Sequence, residues 1–205
     1  ACPEKAITLT PEVIITDMAL CKIHVRCAEV CPTKAIEISG REISVAEIIQ
    51  EIEKERPFFD QSGGGVTFSG GEPLLQHKFL IRLLKECGKL GIHRAVDTAG
   101  FVKTDIILKV AQHTDLFLYD LKIMDPAKHR KWTGVTNEII LENLKALADT
   151  GANIIIRIPL IGGVNDDVEN MENTAHFVAG LSGEKKAVNL LPYHKTAQTK
   201  YRKLG

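Results

Sequence analysis

Gly63-Gly64-Gly65-Val66-Thr67-Phe68-Ser69-Gly70-Gly71-Glu72-Pro73 is the stretch on which the fold turns. A short β-branched and aromatic run, Val66-Thr67-Phe68, emerges from glycines and closes on Ser-Gly-Gly-Glu-Pro, so it reads as a strand running into a tight polar turn. The same pattern recurs. Ala95-Val96 leads into Asp97-Thr98-Ala99-Gly100, and Leu116-Phe117-Leu118-Tyr119 into Asp120-Leu121-Lys122. Ile154-Ile155-Ile156 leads into Arg157, and Val188-Asn189-Leu190-Leu191 into Pro192-Tyr193-His194. In parallel α/β sheets the C-terminal ends of the strands share one face, where ligands bind. Glu72, Asp97, Asp120, Lys122, Arg157 and His194 are therefore expected around one pocket.

Helical patterns fill the intervals. Ser44 with Glu47 reads as a capping box ahead of an apolar face of Val45, Ile48, Ile49 and Ile52, with Pro57 as the stop. A second helix runs from about residue 76 with Phe79, Leu80, Leu83, Leu84, Cys87 and Leu90 on its buried side, and Gly91 ends it. Thr104 is read as the cap of a third helix carrying Ile106, Ile107, Val110 and Ala111. Two more run over about 138–150 and 168–181. Alternation of strand and helix implies a parallel sheet with helices outside it, and fits an open doubly wound sheet or a barrel equally.

Composition narrows the function classes. Lysine plus arginine equals aspartate plus glutamate at 26 each, which argues against general affinity for nucleic acid or an anionic membrane. No apolar run nears the roughly 18 residues of a membrane span. No charged-then-apolar leader opens the chain, so a cytoplasmic location is the expectation.

Residues 1–40 form a separate expected segment, with 41–205 as the barrel-like part. Its β-like stretches are 6–9, 13–15 and 35–38. Cys21-Lys-Ile-His24-Val-Arg-Cys27-Ala-Glu-Val-Cys31-Pro32 follows the ferredoxin spacing C-x2-C-x2-C-x3-C-P, with His24 in the second cysteine's place. Cys2-Pro3-Glu4-Lys5-Ala6-Ile7 and Cys31-Pro32-Thr33-Lys34-Ala35-Ile36 are near copies. Cys2, Cys21, Cys27 and Cys31 are thus candidate iron–sulfur ligands, Cys2 with Cys21 and Cys27 around one [4Fe–4S] cluster and Cys31 serving a second. His24 is read either as a ligand or as a surface histidine. Cys87, on an apolar helix face, is read as packing.

The Gly-rich stretch is no phosphate loop, because no Gly-Lys-Ser/Thr follows. Paired glycines at a strand end instead expose backbone groups to a ligand. Taken with the four later strand ends, the chain resembles the glycyl radical enzyme activating enzymes, radical S-adenosylmethionine (SAM) proteins. The ferredoxin-like segment resembles the subgroup with an inserted two-cluster domain.

That resemblance implies an incomplete (β/α)6 TIM-like barrel, with five of six strands present here. It implies that Gly70, Gly71 and Glu72 receive the amino group of SAM. Asp97, Thr98, Asp120, Lys122, Arg157 and His194 would contact SAM or build a monovalent-cation site beside its carboxylate, with Lys122 and His194 nearest the chemistry. It further implies generation of a glycyl radical on a partner such as pyruvate formate-lyase, with flavodoxin or ferredoxin as electron donor. The family's C-x3-C-x2-C motif is not in this sequence; its place would precede Ala1, so the chain is expected to be an internal piece, inactive by itself. The rival reading is a non-catalytic electron-transfer or scaffold protein with the same fold. Asn165-Asp166 is read as a turn, and His93, His129 and Trp132 as structural.

Overall fold

The computed structural model describes residues 2–11, 13–38, 40–184 and 186–193. The chain divides into two compact units, Ala1–Ser44 and Val45–Gly205. In the first, β1 (Ile7–Leu9) and β2 (Ile14–Thr16) form an antiparallel ribbon with Ile7 opposite Thr16, and a single helical turn, α1 (Arg26–Glu29), follows. The expected β stretch at 35–38 is not a strand. A strand exists only through its ladder partner, and β1 and β2 already pair with each other.

The second unit begins with α2 (Val45–Lys54) and α3 (Arg56–Ser62). Helix α2 ends at Lys54, as expected ahead of Pro57, but Pro57 itself lies in the first turn of α3, where its missing N–H has no helical acceptor to lose. Then follow β3 (Gly65–Phe68), α4 (His77–Lys89), β4 (His93–Thr98), α5 (Thr104–Ala111) and β5 (Leu116–Asp120). The remaining elements are α6 (Pro126–Thr133), α7 (Glu138–Asp149), β6 (Ile154–Leu160), α8 (Val168–Ala179) and β7 (Ala187–Pro192). Thr104 is the first residue of α5 rather than its cap; Lys103 stands before it and no side chain caps that end.

All five strands from β3 to β7 are parallel and lie in sequence order. That is the sheet of a partial TIM-like barrel. The alternation along β6 buries Ile154, Ile156 and Ile158 on one face, where they join Val96, Phe117, Tyr119, Ile107, Leu144 and Leu147 in the main core. Fully burying one such aliphatic side chain stabilises by about 1.5–3 kcal/mol. A second cluster sets Ile52 of α2 against Cys87 of α4 and Ile92, so the reading of Cys87 as packing holds. At the opposite end from the strand tips, Arg94 grips both carboxylate oxygens of Asp115 at 2.7 and 2.6 Å, fixing the start of β4 beside β5. The other ends of the strands are left to carry polar side chains.

Candidate active site at the strand ends

Glu72 organises the first strand end. It caps the 3-10 turn Pro73–Gln76, accepting the Leu74 amide at 3.2 Å. Its carboxylate also accepts the Thr98 hydroxyl at 2.6 Å and the Ala99 amide at 3.0 Å. The loops after β3 and β4 are thereby tied together through one side chain. Thr98 Oγ1 accepts in turn from the Gly100 amide at 2.9 Å. Gly100 has φ +71, and a Cβ there would fall 1.8 Å from the Tyr119 hydroxyl. That hydroxyl is fully buried and donates to the Ile140 carbonyl at 2.7 Å; burial pushes its pKa far up.

The charged centre lies one strand further on. Asp120 and Arg157 are register partners on β5 and β6. Arg157 donates to Asp120 Oδ1 through Nε at 3.1 Å and Nη2 at 2.9 Å, and Nη2 also donates to Asp97. Lys122 stands 3.3 Å from the other oxygen of Asp120. One guanidinium thus bridges carboxylates from two strands. Loss of water pushes the Asp97 pKa up; Arg157 opposes that rise, while Asp120 and Glu72 add to it. The two aspartates balance Arg157 and Lys122, and Glu72 leaves one negative charge over. Such a site favours a ligand with net positive charge.

These groups line a cavity of about 220 Å³ together with Ser69, Gly70, Gly71 and Thr98. Gly70 has φ +133, a conformation that favours glycine, and a Cβ on Gly70 or Gly71 would meet no protein atom within 4 Å. Neighbouring protein atoms therefore leave room for a Cβ at 71, and the space beside it is the cavity. A second cavity of about 370 Å³ shares Gly71, Glu72, Ala99, Asp120 and Lys122, and extends toward Leu75, Phe101 and His129.

The sequence reading missed what holds Lys122 in place. Buried Asn165 donates to the carbonyls of Lys122 and Pro159, both at 2.7 Å, and accepts the Ile161 amide at 2.8 Å. Asn170 accepts the Met124 amide at 2.8 Å, and Asn137 donates to the carbonyls of Ile123 and Met124. Three buried asparagines therefore clamp the loop after β5. Asn165, read as part of a turn, is also the hub that joins that turn to Lys122. No local spacing announces this. His194 lies outside the described residues.

The cysteine unit does not form a comparable site. Cys2, Cys21, Cys27 and Cys31 are free, half-buried thiols. Among the described residues no three His, Cys, Asp or Glu side chains converge to hold a metal. The bonds of metal to thiolate are what draw such loops together, because site formation and folding are one event. The two near-copies do fold alike: the Lys5 and Lys34 amides each donate to the carbonyl of the cysteine three residues back at 3.2 Å, with φ 54 and 52. His24 is engaged by Glu4 at 3.0 Å rather than by a cysteine.

Residues 29–178 match the radical SAM superfamily. The chain is 46% identical over 206 residues to the trans-4-hydroxy-L-proline dehydratase activating enzyme of Clostridioides difficile, covering 99% of this chain and 68% of that protein. It is 42% identical over 176 residues to the choline trimethylamine-lyase activating enzyme of Oleidesulfovibrio alaskensis, covering 85% of this chain and 57% of that one. The chain thus spans little more than half the length of the latter. Among solved structures, a domain of the pyruvate-formate lyase-activating enzyme of Bacteroides vulgatus superposes with a TM-score of 0.61 and 44% identity. That match covers 68% of this chain and 89% of the domain.

Proposed function

The chain belongs to the glycyl radical enzyme activating enzymes of the radical SAM superfamily, and we propose that its charged cavity binds the amino-acid end of SAM. The observation that carries this reading is the guanidinium of Arg157 shared by Asp97 and Asp120 beside a Gly70-Gly71 turn open to the cavity. SAM brings an ammonium, a sulfonium and a carboxylate, a net positive charge that matches the one negative charge the site leaves over. The residues present fit that ligand.

Backbone acceptors at Gly70 and Gly71 receive the ammonium. Arg157 and Lys122 face the carboxylate, and charge-assisted hydrogen bonds of this kind are about twice as strong as neutral ones. Asp97 and Asp120 hold both cations in position before the ligand arrives, so little reorganisation accompanies binding. A monovalent cation beside the ligand's carboxylate would use the same two aspartates. Thr98 acts one step back, fixing Glu72 and hence the Gly-Gly turn.

Bound here, SAM would supply one-electron chemistry able to take a hydrogen atom from a carbon, with Gly70, Gly71, Asp97, Asp120, Lys122 and Arg157 holding its amino-acid end. Cys2, Cys21, Cys27 and Cys31 are proposed as ligands of auxiliary iron–sulfur clusters, a reading supported by the like fold of the two cysteine near-copies. The partner is a glycyl radical enzyme, with pyruvate formate-lyase as one candidate, and flavodoxin or ferredoxin is the proposed donor.

The test uses the full-length protein, prepared without oxygen and reduced in the presence of SAM and a co-expressed glycyl radical enzyme. Release of 5′-deoxyadenosine together with a glycyl radical signal in electron paramagnetic resonance is expected. Stable SAM under those conditions would refute the assignment.

A further inference from the structure

His129 sits on α6 and was read from the sequence as structural, but the structure gives its ring two different edges. Nδ1 lies 2.7 Å from the Val135 carbonyl and 2.9 Å from the Thr133 hydroxyl. A carbonyl cannot donate, so Nδ1 carries the hydrogen. The Thr133 hydroxyl spends its own hydrogen on backbone carbonyls. Neutral imidazole then has a bare Nε2, an acceptor. Nε2 has no hydrogen-bond partner among the described residues, although the residue is only 4% exposed and lines the 370 Å³ cavity. With Nδ1 held by the loop, the open Nε2 is an acceptor free to take a donor that arrives with a ligand.

The cavity's chemistry selects the donor. Five lining residues are common to it and to the charged cavity, so the two cavities adjoin. Its remaining walls are mainly apolar, with Leu75, Phe101, Val135 and Ile140 among them. Leu75 is 73% and Phe101 43% exposed. An apolar rim of that kind extends past a small cofactor and suits a chain that continues out of the cavity.

We propose that His129 is a specificity-determining residue: its Nε2 accepts a backbone N–H flanking the reactive Cα of a glycine-bearing peptide segment held in this cavity. The inference rests on the activating-enzyme reading above.

The test uses full-length protein with a capped Ala-Gly-Ala peptide, and its counterpart N-methylated at the two amides flanking the glycine Cα. His129→Asn keeps a donor where Nδ1 stands and removes the Nε2 acceptor. The variant is expected to bind the capped peptide about tenfold more weakly, to bind SAM as wild type does, and to treat the methylated peptide no differently from wild type. In the wild-type protein, nitrogen-15 NMR of the imidazole is expected to show a bare Nε2 whose signal moves with the capped peptide and not with the methylated one. That readout decides even where the variant fails to fold. An unmoved Nε2 signal, or unchanged peptide affinity in the variant, overturns the proposal. A fall in SAM affinity alone also overturns it, by giving the cavity to the adenosine. If wild-type protein fails to bind SAM at all, the underlying reading fails instead.

Discussion

The two units of this chain are stabilised by opposite means. Residues 45–205 bury a continuous apolar core behind a parallel sheet. In the first unit Ala6 is the one buried apolar residue among those described, while Leu9, Met18 and Ile23 are each more than two-thirds exposed. Among the described residues, the four non-glycine residues with positive φ, Lys5, Ile23, Val25 and Lys34, fall in that unit and near its cysteines. Segments below about 40 residues rarely build a sufficient core without a metal, disulfides or a partner surface. The sheet unit therefore owes its shape to packing, whereas the cysteine unit has little core of its own among the described residues.

Substitutions in the sheet unit should produce large effects at its packed strand ends. Gly100→Ala sets a Cβ 1.8 Å from the Tyr119 hydroxyl at φ +71. It is expected to cost more than about 3 kcal/mol in denaturant unfolding. Arg157→Met comes next. It leaves Asp97 and Asp120 without their shared cation, and side chains of all three are less than a quarter exposed. A loss of about 2–4 kcal/mol is expected, mainly from the stranded carboxylates. A change below about 1 kcal/mol would mean that water already screens the pair.

The cysteine unit predicts the reverse sign. Val25 is β-branched with φ 68, a conformation costing about 1–2 kcal/mol for a residue with a Cβ. Val25→Gly is expected to raise the hydrogen-exchange protection of residues 1–44 by about 1 kcal/mol, and to leave the unfolding midpoint of the sheet unit unmoved. Equal shifts in both would show that the units unfold as one.

The smallest expected effects are in pH dependence, and they separate the two ends of β4. The hydrogen bond from Arg94 holds the Asp115 carboxyl below the usual aspartate range. Its contribution is present at neutral pH and lost as pH falls through that lowered value. Desolvation raises Asp97 instead. Its contribution is present below the ordinary aspartate range and lost as pH rises through the raised value. Unfolding curves taken against pH should thus show Asp115→Asn blunting the acid-side loss and Asp97→Asn blunting a loss on the rising side.

The sequence displayed the strands and their polar ends because both are local. Val66-Thr67-Phe68 running into Ser69-Gly70-Gly71-Glu72 announces a strand and a turn within seven residues. Helix α6 was missed because Pro126-Ala-Lys-His-Arg-Lys-Trp-Thr has almost no apolar stripe, and Asp125 at its cap supplies the order. The clamp on Lys122 was hidden for a different reason. Asn165 reaches the Lys122 carbonyl across 43 residues, and nothing in the spacing of asparagines marks a side chain that serves a distant backbone. His129 looked structural because part of its role is: its Nδ1 edge anchors a loop, while the residue also lines a cavity.

The most direct test of the strand-end pocket is the SAM dissociation constant of the full-length protein compared with its Lys122→Met variant. Lys122 contacts Asp120 at 3.3 Å and its side chain is 35% exposed, so the fold survives its loss. At least about tenfold weaker binding is expected in the variant, the worth of one charge-assisted hydrogen bond. Equal affinity in the two proteins would place the cofactor elsewhere and contradict this expectation.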